Sequence, residues 1–132
     1  MRRLAVVFLA VLCLGGCGEK MLKTRGRVVK GGVPFLPGKD EFVRVTFVPA
    51  DQERPPDYYV AQYNREDGTF EVAGKDLRGM PPGRYRVAIE LDRRRSDLLK
   101  GKFDAERSPF VYDVDGATTE IVIDLDRPPG KS

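Results

Sequence analysis

Arg93, Arg94 and Arg95 run consecutively, and Lys100 and Lys102 follow in the same stretch. Such a run offers guanidinium forks and ammonium groups to an anionic partner, such as lipid phosphate or an acidic polymer. The alternative is a solvated loop whose charges keep a strand edge from pairing. Tyr58, Tyr59 and Tyr63 form a second cluster. Rings so spaced can serve as a platform for a sugar or a peptide, or can simply pack the edges of a sheet. Two acidic groups, Asp113 with Asp115 and Glu120, and Asp51 with Glu53 and Asp57, carry the oxygen ligands that calcium takes. Neither has the spacing of a dedicated calcium loop, and turns attract Asp for conformational reasons, so no metal is expected.

The residues the chain lacks narrow its chemistry further. It has no His and no Trp. His is the commonest general base and a common zinc ligand, so the usual triads and most zinc sites are excluded. No Gly-x-Ser-x-Gly elbow is present either. The expectation is a non-catalytic chain without a cofactor. Lys+Arg number 23 against 20 Asp+Glu. Arg2 and Arg3 fall in an N-terminal leader, which leaves the remainder close to neutral. That balance argues against a nucleic-acid partner.

The leader consists of Arg2 and Arg3, then an apolar run over residues 4–14, then Leu14-Gly15-Gly16-Cys17. A charged segment before an apolar one of this length reads as a signal peptide, and the apolar run is too short to span a bilayer. The four residues ending at Cys17 resemble the lipobox of bacterial lipoproteins. The resemblance implies cleavage after residue 16 and transfer of a diacylglyceryl group to the Cys17 sulfur, which becomes the lipidation site. Acyl chains bury about 0.8 kcal/mol per methylene, so two or three of them hold a protein on a membrane almost permanently. Cys13 would leave with the leader, so no disulfide is expected. Residues 17–24 form a short tether with Lys20 and Lys23. In the lipoprotein family, Asp after the acylated Cys favours inner-membrane retention. Gly18 stands there, which implies a cell-envelope address with the outer membrane favoured.

Beyond the tether, the pattern is one of short strands. Strands are expected at 25–30, 42–48, 58–63, 69–73, 84–91, 110–114 and 117–125. Val43, Val45 and Phe47 share one face of the second. Tyr85, Val87, Ile89 and Leu91 share one face of the fifth, the cleanest period-2 run in the chain. The phase of 58–63 is ambiguous because both faces carry Tyr. Asp67-Gly68 and Asp115-Gly116 read as hairpin turns. Ser96 reads as the N-cap of one helical turn over 96–100. Phe103 and Phe110 bracket a loop and tuck against the core, and residues 127–132 form a tail. One domain over 25–126 is the natural count. Seven short strands with Gly/Pro punctuation predict an all-β, seven-stranded antiparallel β-sandwich.

Gly26-Arg27-Val28-Val29, Gly32-Val33-Pro34, Asp67-Gly68-Thr69-Phe70 and Pro82-Gly83-Arg84-Tyr85-Arg86-Val87 resemble the carboxypeptidase-regulatory-like family, over about residues 25–125. The resemblance implies a transthyretin-like Greek-key sandwich. It also implies that residues 93–109 are an insertion, and that Tyr85 is either a corner tyrosine bonded to nearby backbone or a plain core aromatic. A transthyretin-related branch hydrolyses hydroxyisourate with His residues and a terminal Tyr-Arg-Gly-Ser; this chain has no His and reads Pro129-Gly130-Lys131-Ser132, so that activity does not carry over. The family is known mainly for accessory and adhesive modules. The expected function is therefore a membrane-anchored structural or protein-interaction module of the envelope. The alternative is a lipoprotein that binds a polysaccharide or peptide through its loops and tyrosines.

Overall fold

The computed structural model describes residues 20–51, 57–74, 77–116 and 120–129, so Cys17, Glu53 and Thr119 lie outside the described residues. Ten strand segments are present: β1 Thr24–Lys30, β2 Val33–Pro34, β3 Phe42–Pro49, β4 Tyr59–Val60, β5 Gln62–Tyr63, β6 Thr69–Val72, β7 Gly83–Arg93, β8 Ser96–Asp97, β9 Val111–Val114 and β10 Ile121–Asp124. There is no helix among the described residues. Sheet I has the order β10-β1-β6-β5, with β2 beside β1. Sheet II has the order β4-β3-β7-β8, with β9 also on β7. The fold is all-β and two-layered, and one core lies between the sheets.

Alternation builds that core. In β1, Gly26 and Val28 turn inward while Arg25 and Arg27 face solvent. In β3 and β7, Val45, Phe47, Tyr85, Val87 and Ile89 turn inward to meet Phe70, Val72, Ile121 and Ile123 of sheet I. The Phe47 ring joins the layers, 5.9 Å from the Phe70 ring and 6.2 Å from the Tyr85 ring. Each such side chain contributes roughly 1.5–3 kcal/mol on burial. Phe103 and Phe110 are both buried, as expected, with ring centroids 5.3 Å apart. The Tyr85 hydroxyl donates to the Pro81 carbonyl at 2.6 Å, the backbone bond of a corner tyrosine.

Four expectations are corrected. Residues 58–63 are not one strand. β4 pairs with β3 in sheet II, and β5 pairs with β6 in sheet I, so the chain changes layers at Ala61. Ala61 is buried and its N–H donates to the Val45 carbonyl at 2.8 Å. Tyr59, Ala61 and Tyr63 lie towards the core while Tyr58, Val60 and Gln62 are exposed, so the alternation runs through the change of layer, and Tyr on both faces is what hid its phase. The helical turn at 96–100 is absent, because Ser96 and Asp97 pair with Arg93 and Asp92 as a hairpin. Asp115-Gly116 does not join paired strands, since β9 belongs to sheet II and β10 to sheet I. Finally, β10 runs parallel to β1 while the other strand pairs are antiparallel, so the sandwich is not uniformly antiparallel.

Candidate functional site

Arg94 and Arg95 are the two turn residues between β7 and β8. Both sit at positive φ, 50° and 67°. Two central residues of that kind make the primed turn whose twist suits a two-residue hairpin, normally built from Asn and Gly. A side chain in this region is uncommon and costs about 1–2 kcal/mol. Past β8, Lys100 and Gly101 also have positive φ, 54° and 72°.

Asp97 holds this end of the molecule together. Its carboxylate accepts N–H bonds from Leu91 at 3.0 Å, Leu99 at 2.9 Å and Gly101 at 2.9 Å. An Asp carboxylate that binds the N–H two residues on forms an Asx turn. The loop that follows is fastened along β7. Leu98 donates to the Leu91 carbonyl at 2.7 Å, Ile89 donates to that of Phe103 at 2.8 Å, and the Ser108 hydroxyl donates to that of Val87 at 2.5 Å. Lys102 lies with its Nζ 5.3 Å from the centre of the Phe103 ring, a cation–π contact. The segment from Leu98 to Ser108 is thus an ordered strap.

The five cations of the run are all exposed. None makes an ion pair among the described residues, whereas Arg25, Arg27, Arg44 and Arg107 each lie within 3.8 Å of a carboxylate. The acids nearest in sequence are occupied: Asp92 pairs with Arg44 at 3.4 Å, and Asp97 binds backbone. The arrangement presents uncompensated positive charge on a braced support. Guanidinium forks at such a place suit phosphate or carboxylate.

No protein-family model, curated protein or solved structure matches the chain.

The three tyrosines are not brought together. Tyr58 is exposed. Tyr59, in sheet II, packs edge-on against Tyr85 with centroids 6.1 Å apart. Tyr63, in sheet I, donates its hydroxyl to the Phe35 carbonyl. Burial, reinforced by the Asp67 charge, pushes the Tyr63 phenol up to about 12. Asp67 itself is held below the usual carboxylate range by the Thr69 hydroxyl and N–H, at 2.6 and 3.0 Å. Tyr63 alone of the three lines a groove of about 830 Å³ on sheet I, together with Gln62, Asn64, Arg25, Glu71 and Glu120. This groove is polar, and Arg25 is paired with Glu71 across it at 3.4 Å.

Glu120 of the first acidic group is paired with Arg27 at 3.4 Å. Among the described residues, no three His, Cys, Asp or Glu side chains are placed to hold a metal ion. Sequence reasoning missed Asp97. Its signal was an Asp two residues before Leu99 and four before Gly101, read instead as a Ser96 cap.

Proposed function

We propose that the chain is a membrane-anchored, non-catalytic envelope lipoprotein whose sandwich serves as a structural or protein-interaction module. The observation that carries this reading is how closely the fold follows the lipobox-like stretch. Leu22 already exchanges backbone hydrogen bonds with Met80, at 2.7 and 2.8 Å, and β1 starts at Thr24. Five residues from Cys17 to Leu22 reach at most about 18 Å, so an acylated Cys17 would hold the sandwich against its bilayer. The Gly18 position favours the outer membrane.

The transthyretin-like Greek key belongs to the same proposal. Two packed sheets, the Tyr85–Pro81 bond and the left-handed Gly68, with φ 76°, support it. The absence of His from the whole chain supports a non-catalytic role. Mass spectrometry of the N-terminal peptide tests the anchor. The expected result is a diacylated Cys17 in the membrane fraction, lost with Cys17→Ser; an unmodified thiol on soluble protein overturns it. Crosslinking followed by affinity capture tests the module, with a stable envelope-protein partner expected.

A second reading, a lipoprotein that binds polysaccharide or peptide, is favoured by one feature, the polar groove beside Tyr63. Amide, carboxylate and guanidinium groups around one ring suit sugar hydroxyls or peptide backbone. A glycan array and a peptide library decide this reading. Binding abolished by Gln62→Ala or Tyr63→Ala supports it; binding to neither library removes it.

A further inference from the structure

We infer that the β7–β8 tip, with Arg93, Arg94, Arg95, Lys100 and Lys102, binds an anionic polymer bearing closely spaced phosphate or carboxylate groups, and that the fold directs this tip away from the anchoring bilayer. The directional half rests on the proposed anchor at Cys17.

Strand geometry sets the direction. The chain enters the fold at Leu22, bridged to Met80, and β7 begins three residues after Met80 at Gly83. β7 then runs 11 residues without a break in its pairing to β3, β9 and β8. At about 3.3 Å per residue, it carries the chain roughly 33 Å from Gly83 to Arg93. Leu22 and the arginine turn therefore mark opposite poles of the molecule. With the near pole held within about 18 Å of the bilayer, an upright module carries the arginine turn roughly 33 Å farther out.

Charge sets the ligand. The five cations are exposed and make no ion pair among the described residues, and Asp92 and Asp97 are occupied with Arg44 and with backbone N–H groups. The positive-φ backbone at Arg94 and Arg95 would be less strained with Asn and Gly, so arginine stands there against local conformational preference. Five exposed cations shared between a hairpin and the strap that follows it suit a ligand with many charges better than a single small anion.

The test uses the full-length chain at low ionic strength with two probes, polyphosphate and poly-glutamate, read by fluorescence anisotropy. Arg94→Asn/Arg95→Gly removes two charges while easing the turn, so loss of binding is not loss of fold. Arg25→Gln/Arg27→Gln removes the same charge from sheet I. The expected result is at least a tenfold loss of affinity in the tip variant, about twofold or less in the sheet I variant, and weakening with added salt. The relative affinity for the two probes tells phosphate from carboxylate. Equal losses in both variants, or none in either, overturn the proposal. Tighter binding to phosphatidylglycerol vesicles than to either polymer, lost with Phe42→Ser, also overturns it, since Phe42 is 66% exposed and pairs with Asp92 beside the tip. Flotation with phosphatidylcholine vesicles, done without polymer, reports on the anchor separately. A chain that fails to float overturns the directional half, while the titration still decides the polymer.

Discussion

On the outer face of sheet I, Arg25 lies 3.4 Å from Glu71, and Arg27 lies 3.4 Å from Glu120. At the β7–β8 tip, Arg93, Arg94 and Arg95 meet no acid among the described residues, and two of them occupy strained backbone. The first surface rests on regular β-ladder and pairs each charge with its cross-strand or adjacent neighbour, as a stable sheet does. The second holds its charges apart from partners and fastens the loop beneath them with a carboxylate. The difference separates arginines that serve the fold from arginines the fold presents to something else.

The largest expected effect breaks the regular side of this comparison. A Cβ at Gly26 would sit 2.2 Å from the Ile121 carbonyl oxygen and 2.5 Å from Phe70 Cζ. Gly26→Ala should cost about 3 kcal/mol in urea unfolding, because backbone of the parallel β1–β10 pair has to move. Asp97→Ala strikes the tip. It removes one acceptor from three N–H groups and should cost about 2 kcal/mol, with faster hydrogen exchange at Leu99 and Gly101 and no change at Val28. Arg94→Asn/Arg95→Gly should act in the opposite sense and raise stability by about 1–2 kcal/mol, measured by the same unfolding curves.

Alkaline titration probes the groove side. Burial raises the Tyr63 phenol to about 12 from 10.0, so the folded state favours the neutral form. That contribution is fully present below pH 10 and is lost as pH rises through 12. Since the ring is half-exposed, about 1 kcal/mol is expected after screening. Tyr63→Phe should flatten the stability curve over this range, though Tyr112, also raised to about 12, keeps part of the slope. The smallest effect is Glu71→Gln, about 0.5 kcal/mol or less and abolished by salt, because Arg25 is exposed and Glu71 only half-buried.

Much of the fold was legible in the residues. The period-2 runs that became β3 and β7 placed Val45, Phe47, Tyr85, Val87 and Ile89 in the core, and each is buried. Local periodicity reports which face is apolar, and a long strand repeats that report several times. Ala61 defeated it because the alternation of Tyr59, Ala61 and Tyr63 continues unbroken while the pairing partner changes sheet, without a Gly or Pro to mark the change. The Arg94-Arg95 turn was hidden for a related reason, since its residues lack the signature of the conformation they adopt. The parallel β1–β10 pair joins the first and last strands, and nothing local announces so distant a partner. As for the candidate site, the run of cations was visible, but the absence of ion pairs depends on where Asp92 and Asp97 turn, which only the folded chain decides.

The proposed acylated module holds its cationic pole away from its bilayer. Lipid-borne spin labels offer the most direct test, with fluorophores placed by Lys20→Cys and Arg95→Cys in protein anchored to neutral vesicles. The account predicts strong quenching at position 20 and none at position 95. Equal quenching at both positions, or none at either, would contradict it.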